Sequence, residues 1–304
     1  MGQIAKRVFL FIAVNFLVIM TISFALSFFN VQPYLTRNGI DYQSLMIFCL
    51  IWGMGGAFIS LALSRIIAKW MMGIRLIDPA KASGDEKALY AMVEKLAKSA
   101  GLPCTPEVGY YKSQEVNAFA TGPSSSRALV AVSSGLLNRM DSAQIEGVLA
   151  HEITHIANGD MVTMTLLQGV INAFVMFFAR ILSYILVRAI RQKDDSSVSD
   201  SPILYSVFVF AFEIVFMILG SLVVAAFSRY REYRADAGGA RLAGRDKMID
   251  ALKALQKTLE IKDPRTDQPA FRAMKISEPK GFLSMFASHP PLESRIQRLQ
   301  QGGY

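Results

Sequence analysis

The sequence predicts an α+β fold, mainly helical, in which a domain with a small β-sheet is combined with four transmembrane helices. Three observations carry that expectation. Four apolar runs have membrane-crossing length, helical periodicity and short β-like stretches alternate between them, and the chain is too apolar for a freely soluble protein. Of its 304 residues 52% are hydrophobic, with a mean hydropathy of +0.34.

The runs are Val8–Phe29, Leu45–Leu63, Thr163–Val187 and Leu204–Phe227. A helix needs about 20 apolar residues to cross a hydrocarbon core, and each run meets that length. The first is too long for a signal-peptide core and no small-residue cleavage site follows it, so it reads as a retained anchor. In the second, Gly53, Ala57, Ser60 and Ser64 have the small-xxx-small spacing that lets helices approach closely. Arg180 and Glu213 lie inside the third and fourth runs, at similar depths of an antiparallel hairpin. They predict an ion pair or a shared polar cavity, unless one run is partly outside lipid.

Lys6 and Arg7 precede the first run, and Arg65, Lys69 and Arg75 follow the second. The positive-inside bias therefore places the N terminus and the region after Leu63 in the cytoplasm, and Arg229, Arg231 and Arg234 repeat the signal after the fourth run. The net charge of +8 sits beside apolar runs, without an aromatic-interleaved binding motif. It points to anionic membrane lipid as a partner and excludes nucleic acid. Cys49 and Cys104 form neither a disulfide framework nor a metal knuckle.

Two polar segments, Asp78–Asp160 and Ser228–Tyr304, form the water-facing domain. In the first, Ala88–Ala100 carries Leu89, Met92, Val93 and Leu96 on one helical face and is ended by Gly101 and Pro103. Glu107–Tyr111, Val116–Ala120 and Ala128–Val132 are β-like. Asp141 with Gln144 is a capping-box pattern that starts a helix with Ile145, Leu149, Ile153 and Ile156 on its buried face. In the second segment helices are expected at Arg231–Ala243, at Lys247–Leu259 and after Pro291, with a polar stretch at Asp263–Lys280.

His151-Glu152-Ile153-Thr154-His155 is an H-E-x-x-H motif. On a helix the four-residue spacing stacks both imidazoles on one face, where they can chelate one zinc ion, and Glu152 is placed as general base for an attacking water. Further along, Glu232-Tyr233-Arg234-Ala235-Asp236 points two carboxylates the same way. Glu232 is the candidate third ligand. Asp236, one turn on, is placed to accept from a ligand histidine and fix its tautomer.

The set Asn117-Ala118-Phe119-Ala120-Thr121-Gly122, His151 through Asp160, Glu232 through Asp236 and His289-Pro290-Pro291 closely resembles the HtpX membrane proteases, relatives of the CAAX prenyl proteases. The resemblance spans nearly the whole chain, including the order of the apolar runs. It implies a zincin-like domain with one catalytic zinc ion, facing the cytoplasm from a bacterial inner membrane. There it would hydrolyse misfolded or damaged membrane proteins under stress. It also places His289 near the active site, as an oxyanion donor, a supplementary zinc ligand or a turn residue. Asn117, Ala118, Phe119 and Ala120 become the edge along which an extended substrate adds by backbone hydrogen bonds.

Two other readings fit parts of the pattern. An intramembrane metalloprotease combines H-E-x-x-H with membrane helices, but no N-P-D-G-like segment is present and the motif precedes the third run. A zinc-sensing or scaffolding membrane protein would have no use for Glu152.

Overall fold

The computed structural model describes residues 42–191, 202–259 and 285–302. The first apolar run, Val8–Phe29, and the polar stretch Asp263–Lys280 lie outside the described residues. The chain divides into two compact units, residues 1–59 with 165–224, and residues 60–164 with 225–304.

The first unit is built from parts of three long helices, α1 (Tyr42–Met72), α5 (Asp160–Arg191) and α6 (Pro202–Ala243). Among the described residues these three are long and apolar enough to cross a membrane, with mean hydropathies of 2.1, 2.1 and 2.7. Ile51, Phe210 and Met217 are 66%, 67% and 59% exposed, as side chains facing lipid would be.

Helix α1 meets α5 backbone to backbone. A Cβ at Gly53 would fall 2.6 Å from the Ala173 nitrogen and 2.7 Å from the Gly169 oxygen, and Ala57 lies at 3.4 Å from the equivalent position of Gly169. Small residues at these positions permit the approach, as the spacing anticipates. Beside it Cys49, Leu45 and Ala173 form a small buried cluster.

Helices α5 and α6 run antiparallel within the unit. Gly220 packs on Ile171, Phe178 meets Phe216 with ring centroids 6.0 Å apart, and Arg180 Nη1 donates to Glu213 Oε1 at 3.0 Å. The expected ion pair is therefore present. The Arg180 guanidinium also donates to the Met176 carbonyl and lies over the Phe48 ring, so its charge is paired on several sides.

The second unit holds a four-stranded sheet ordered β1-β2-β4-β3, with β1 at Arg75–Leu76, β2 at Glu107–Tyr111, β3 at Ala118–Thr121 and β4 at Leu129–Ser133. Strands β2 and β4 pair in parallel, while β1 and β3 add antiparallel on the two edges. The third strand begins two residues later than Val116. Asn117 is held by side-chain bonding before β3 starts, its N–H donating to Ser133 Oγ, which donates in turn to the Glu115 carbonyl.

Helix α2 (Gly84–Ser99) buries Leu89, Val93 and Leu96 against this sheet, and α3 (Ser134–Arg139), not anticipated from sequence, follows β4 directly. Its cap is Ser133, whose hydroxyl accepts from the Leu136 N–H. Helix α4 (Ser142–Ala157) starts at the expected capping box, with Gln144 N–H donating to Asp141 Oδ1 at 2.8 Å and Asp141 N–H to Gln144 Oε1 at 3.2 Å.

Leu149, Ile153 and Ile156 are fully buried in the core, each contributing about 1.5–3 kcal/mol by removal from water. The opposite face of α4 is buried as well, so the helix is not amphipathic towards solvent: His151 and His155 are 7% and 8% exposed.

The helix expected at Arg231–Ala243 is not a separate element. Helix α6 continues unbroken from its apolar run to Ala243, because the arginines that end the apolar pattern are good helix formers. Helices α7 (Arg245–Leu259) and α8 (Leu292–Gln300) pack together through Met248, Leu252, Leu292, Ile296 and Leu299.

Candidate metal centre

Two helices and one turn assemble the centre, all within the second unit. On α4 the rings of His151 and His155 stand one turn apart, edge to face, with centroids 4.6 Å apart and Nε2 atoms 3.1 Å apart. Helix α6 can approach this face because it presents Gly238 and Gly239 to it. A Cβ at Gly238 would fall 2.2 Å from Thr154 Cγ2, and one at Gly239 would fall 3.2 Å from the His151 nitrogen.

That approach carries Glu232, fully buried, to both imidazoles. Its Oε2 is 3.3 Å from His151 Nε2 and its Oε1 is 3.3 Å from His155 Nε2. One ligand atom from each of His151, His155 and Glu232 lies within 4.8 Å of the others, the only such group among the described residues.

The far nitrogen of each imidazole faces a carboxylate. His151 Nδ1 lies 3.0 Å from Asp236 Oδ1, and His155 Nδ1 lies 2.6 Å from Asp160 Oδ2. Each contact fixes a tautomer that turns Nε2 toward the other histidine and Glu232. Asp160 reaches His155 because Gly159, at φ 66°, ends α4 in a left-handed turn and α5 begins at once.

Asp236 is itself held by a buried arginine. Arg295 of α8 donates Nε to Asp236 Oδ2 at 2.7 Å and Nη2 to Oδ1 at 2.6 Å, and its Nη1 lies 3.4 Å from Glu232 Oε2. Arg295 is 3% exposed, and this bidentate pairing compensates the cost of burying both charges.

The electrostatics favour a cation at the nitrogens. Burial disfavours a charged His151, yet Asp236 and Glu232 outweigh it and raise the imidazole to about 9; His155 is raised against the same burial by Asp160 and Glu232. Burial pushes Glu232 up, but the imidazoles of His151, His155 and His289 hold it well below the usual carboxylate range. Asp236 is likewise pushed up by burial and brought down to about 2 by Arg295.

Glu232 Oε2 is buried without a hydrogen-bond partner, although charged nitrogens surround it. An acceptor with an uncommitted lone pair between two oriented imidazoles suits a metal ion, and two nitrogens with one carboxylate oxygen suit zinc.

His289 Nδ1 lies 2.9 Å from Glu232 Oε2, but the pair is not aligned as a hydrogen bond. Its turn is fastened by Arg229, which donates to the carbonyls of Met285 and Ala287. Glu152 follows His151 on α4, half-buried, with no side-chain hydrogen bond or ion pair among the described residues. Ala118, Phe119 and Ala120 lie on edge strand β3, where Ala118 and Ala120 pack on the core that holds α4; Asn117 lies just before the strand.

Asp160 and Arg295 have no assigned role in the sequence reading. Asp160 follows the motif by five residues and was legible as a helix-starting acid after glycine. Arg295 shares a helical face with Leu292, Ile296 and Leu299, which signals a buried and therefore paired charge. Asp160→Asn and Asp236→Asn are each expected to weaken metal affinity about 10- to 100-fold, measured by competition with a chromogenic chelator. Unchanged affinity in both would leave these carboxylates a merely structural role.

A family model described as peptidase family M48 matches residues 83–302. A protease HtpX homologue of Bacillus subtilis is 52% identical over 303 residues, covering 97% of this chain and 99% of the relative. The protease HtpX of Cellvibrio japonicus is 46% identical over 298 residues, covering 98% and 99%. The crystal structure of S. mikatae Ste24p shares the fold with a TM-score of 0.56 at 18% identity. That match covers 94% of this chain and 65% of the Ste24p chain.

Proposed function

The chain belongs to peptidase family M48, among the HtpX proteases, and from that premise we propose that it is a zinc endopeptidase cutting misfolded or damaged membrane proteins at the cytoplasmic face of a bacterial inner membrane. That it is a membrane metalloprotease acting on polypeptides follows from the family and the apolar helices. The observation that carries the zinc chemistry is the buried group of His151, His155 and Glu232, with each histidine backed by a carboxylate.

In this reading His151, His155 and Glu232 hold one zinc ion. Zinc bound there would make water more acidic and polarise a peptide carbonyl. Glu152 accepts a proton from the attacking water as its oxygen bonds to the carbonyl carbon, and returns it to the amine nitrogen as the C–N bond breaks. His289 lies beside the ligands but outside the group within 4.8 Å, which favours a donor to the developing oxyanion over a further ligand. Asp236 and Asp160 orient the imidazoles, and Arg295 keeps Asp236 charged.

An extended substrate segment adds to the edge of β3 that faces away from β4, near Phe119, backbone to backbone. The Ser133 N–H donates to the Asn117 carbonyl, so in the alternating ladder Phe119 pairs inward with Ala131 while Ala118 and Ala120 turn their N–H groups outward. Ala120→Pro removes one N–H from that edge and is expected to raise KM about 10-fold, with kcat less affected. A folded variant with an unchanged KM would remove β3 from substrate binding.

The cytoplasmic orientation is supported by Arg65 and Lys69, which follow the apolar run of α1 and pair with Glu107 on β2 at 3.4 Å and 2.6 Å. The reading as a whole is tested with detergent-purified protein and casein. Cleavage is expected with zinc, is lost after chelation and returns on zinc addition. Zinc binding without any cleavage would move the sensing or scaffolding reading forward.

A further inference from the structure

A concavity lies behind the metal centre, with its walls on α4, α6 and α8. It measures about 410 Å³ and is lined by Tyr230, Tyr233, Arg234 and Arg241 of α6, Thr154 and Asn158 of α4, and Arg298 of α8. The residues of α6 recur at helical spacing and form one stripe down its side. Gly238 lies within the stripe, where its lack of a side chain lets α6 close on Thr154 and make the floor.

Three guanidinium groups line this hollow and, among the described residues, no carboxylate does. Arg298 is already oriented, its guanidinium 4.7 Å from the centre of the Tyr233 ring. Planar guanidinium forks gathered round one concavity match the oxygens of a phosphate.

The near end of the hollow, at Tyr230 and Arg234, names the source of that phosphate. Arg234 is seven residues beyond Phe227, the last residue of the apolar run, or about 10 Å along the helix. Headgroups occupy roughly the first 5–8 Å outside the hydrocarbon, which an arginine side chain at this position reaches back to span. Tyr230, 58% exposed at the near end of the stripe, is an aromatic residue of the kind that settles at such an interface.

We propose that this arginine-lined hollow binds the phosphate of an anionic phospholipid headgroup. The bound headgroup braces the metal centre from behind. Thr154 lies between the two histidines in sequence, Tyr233 follows Glu232, and Arg298 is one turn beyond Arg295, so the anion bridges all three elements that position the ligands. Only this bracing of catalysis rests on the protease reading; headgroup binding does not.

The test uses the full chain in detergent, titrated with phosphatidylglycerol or phosphatidylcholine and followed by native mass spectrometry. One phosphatidylglycerol is expected to be retained in preference to phosphatidylcholine. The variant Arg234→Gln/Arg241→Gln/Arg298→Gln should bind it about 10-fold or more weakly, having lost at least one charge-assisted contact. Arg127→Gln/Arg139→Gln/Arg245→Gln, with equal charge lost elsewhere, should retain it. The single variant Arg234→Gln, at an exposed position, keeps the test open if the triple variant misfolds, and should also bind more weakly. Equal retention by the hollow variants and wild type, or equal loss in the control, overturns the proposal. Displacement by inorganic phosphate at the same concentration as the lipid overturns the lipid source and assigns the hollow to soluble phosphate. Zinc content and casein cleavage in phosphatidylcholine nanodiscs, with and without phosphatidylglycerol, report separately. Lipid binding with no cleavage anywhere would refute the protease reading alone, whereas cleavage indifferent to phosphatidylglycerol would refute the bracing.

Discussion

Replacing Glu152 by glutamine is expected to lower turnover by about 10²-fold or more while the protein keeps its zinc. Glutamine preserves the volume and the helical position but cannot accept the proton of the attacking water. Glu152 is half-buried and outside the group of ligand atoms, so the exchange leaves His151, His155 and Glu232 undisturbed. The measurement is the initial rate of casein cleavage beside zinc content by atomic absorption. Retention of more than roughly a tenth of the activity would take the base assignment away, since a positioned acid–base group contributes more than that.

Glu232→Ala is expected to lose the metal altogether at micromolar protein. Substitutions of the outer partners cost about 10- to 100-fold in affinity, and removing a ligand exceeds them. The change also strips a fully buried carboxylate from between three imidazoles and Arg295, leaving positive groups without their counter-charge. Loss of metal could then follow from unfolding. Glu232→Gln separates the causes, because it fills the same space and keeps an oxygen that the imidazoles and the arginine can use. A folded Glu232→Gln that fails to retain zinc against a chelator supports ligation by the carboxylate. Either variant holding zinc like wild type would move the third ligand elsewhere.

The parts of the fold that depend on neighbours in sequence were the legible ones. The capping box of Asp141 and Gln144 is a contact across three residues, and both of its hydrogen bonds are present. The apolar runs within α1, α5 and α6 announce themselves by hydropathy alone. Within the site, the helical spacing of His151 and His155 was enough to put them together, whereas Glu232, some 77 residues downstream of His155, needed the chemistry of a missing ligand and the family pattern to single it out.

What escaped was set by distant partners. Nothing near Arg295 states that it will grip Asp236, 59 positions away. The edge position of β3 was expected only through the family resemblance, since the strand's own residues suit a central place equally well. Helix α6 was read as two elements because charge interrupts hydropathy at Arg229, whereas helix propensity continues through it.

The two-residue joint between α4 and α5 constrains how this chain can vary. Joints between helices ordinarily absorb insertions and deletions, which is where related sequences drift in length. Here Asn158 and Gly159 alone separate His155's helix from the acid that steadies His155, and one added residue would swing Asp160 through about 100° of helical rotation. The spacing from metal-binding motif to membrane helix is therefore expected to be invariant in length. A tag, linker or circular permutation that the surface elsewhere would tolerate has no place at this joint.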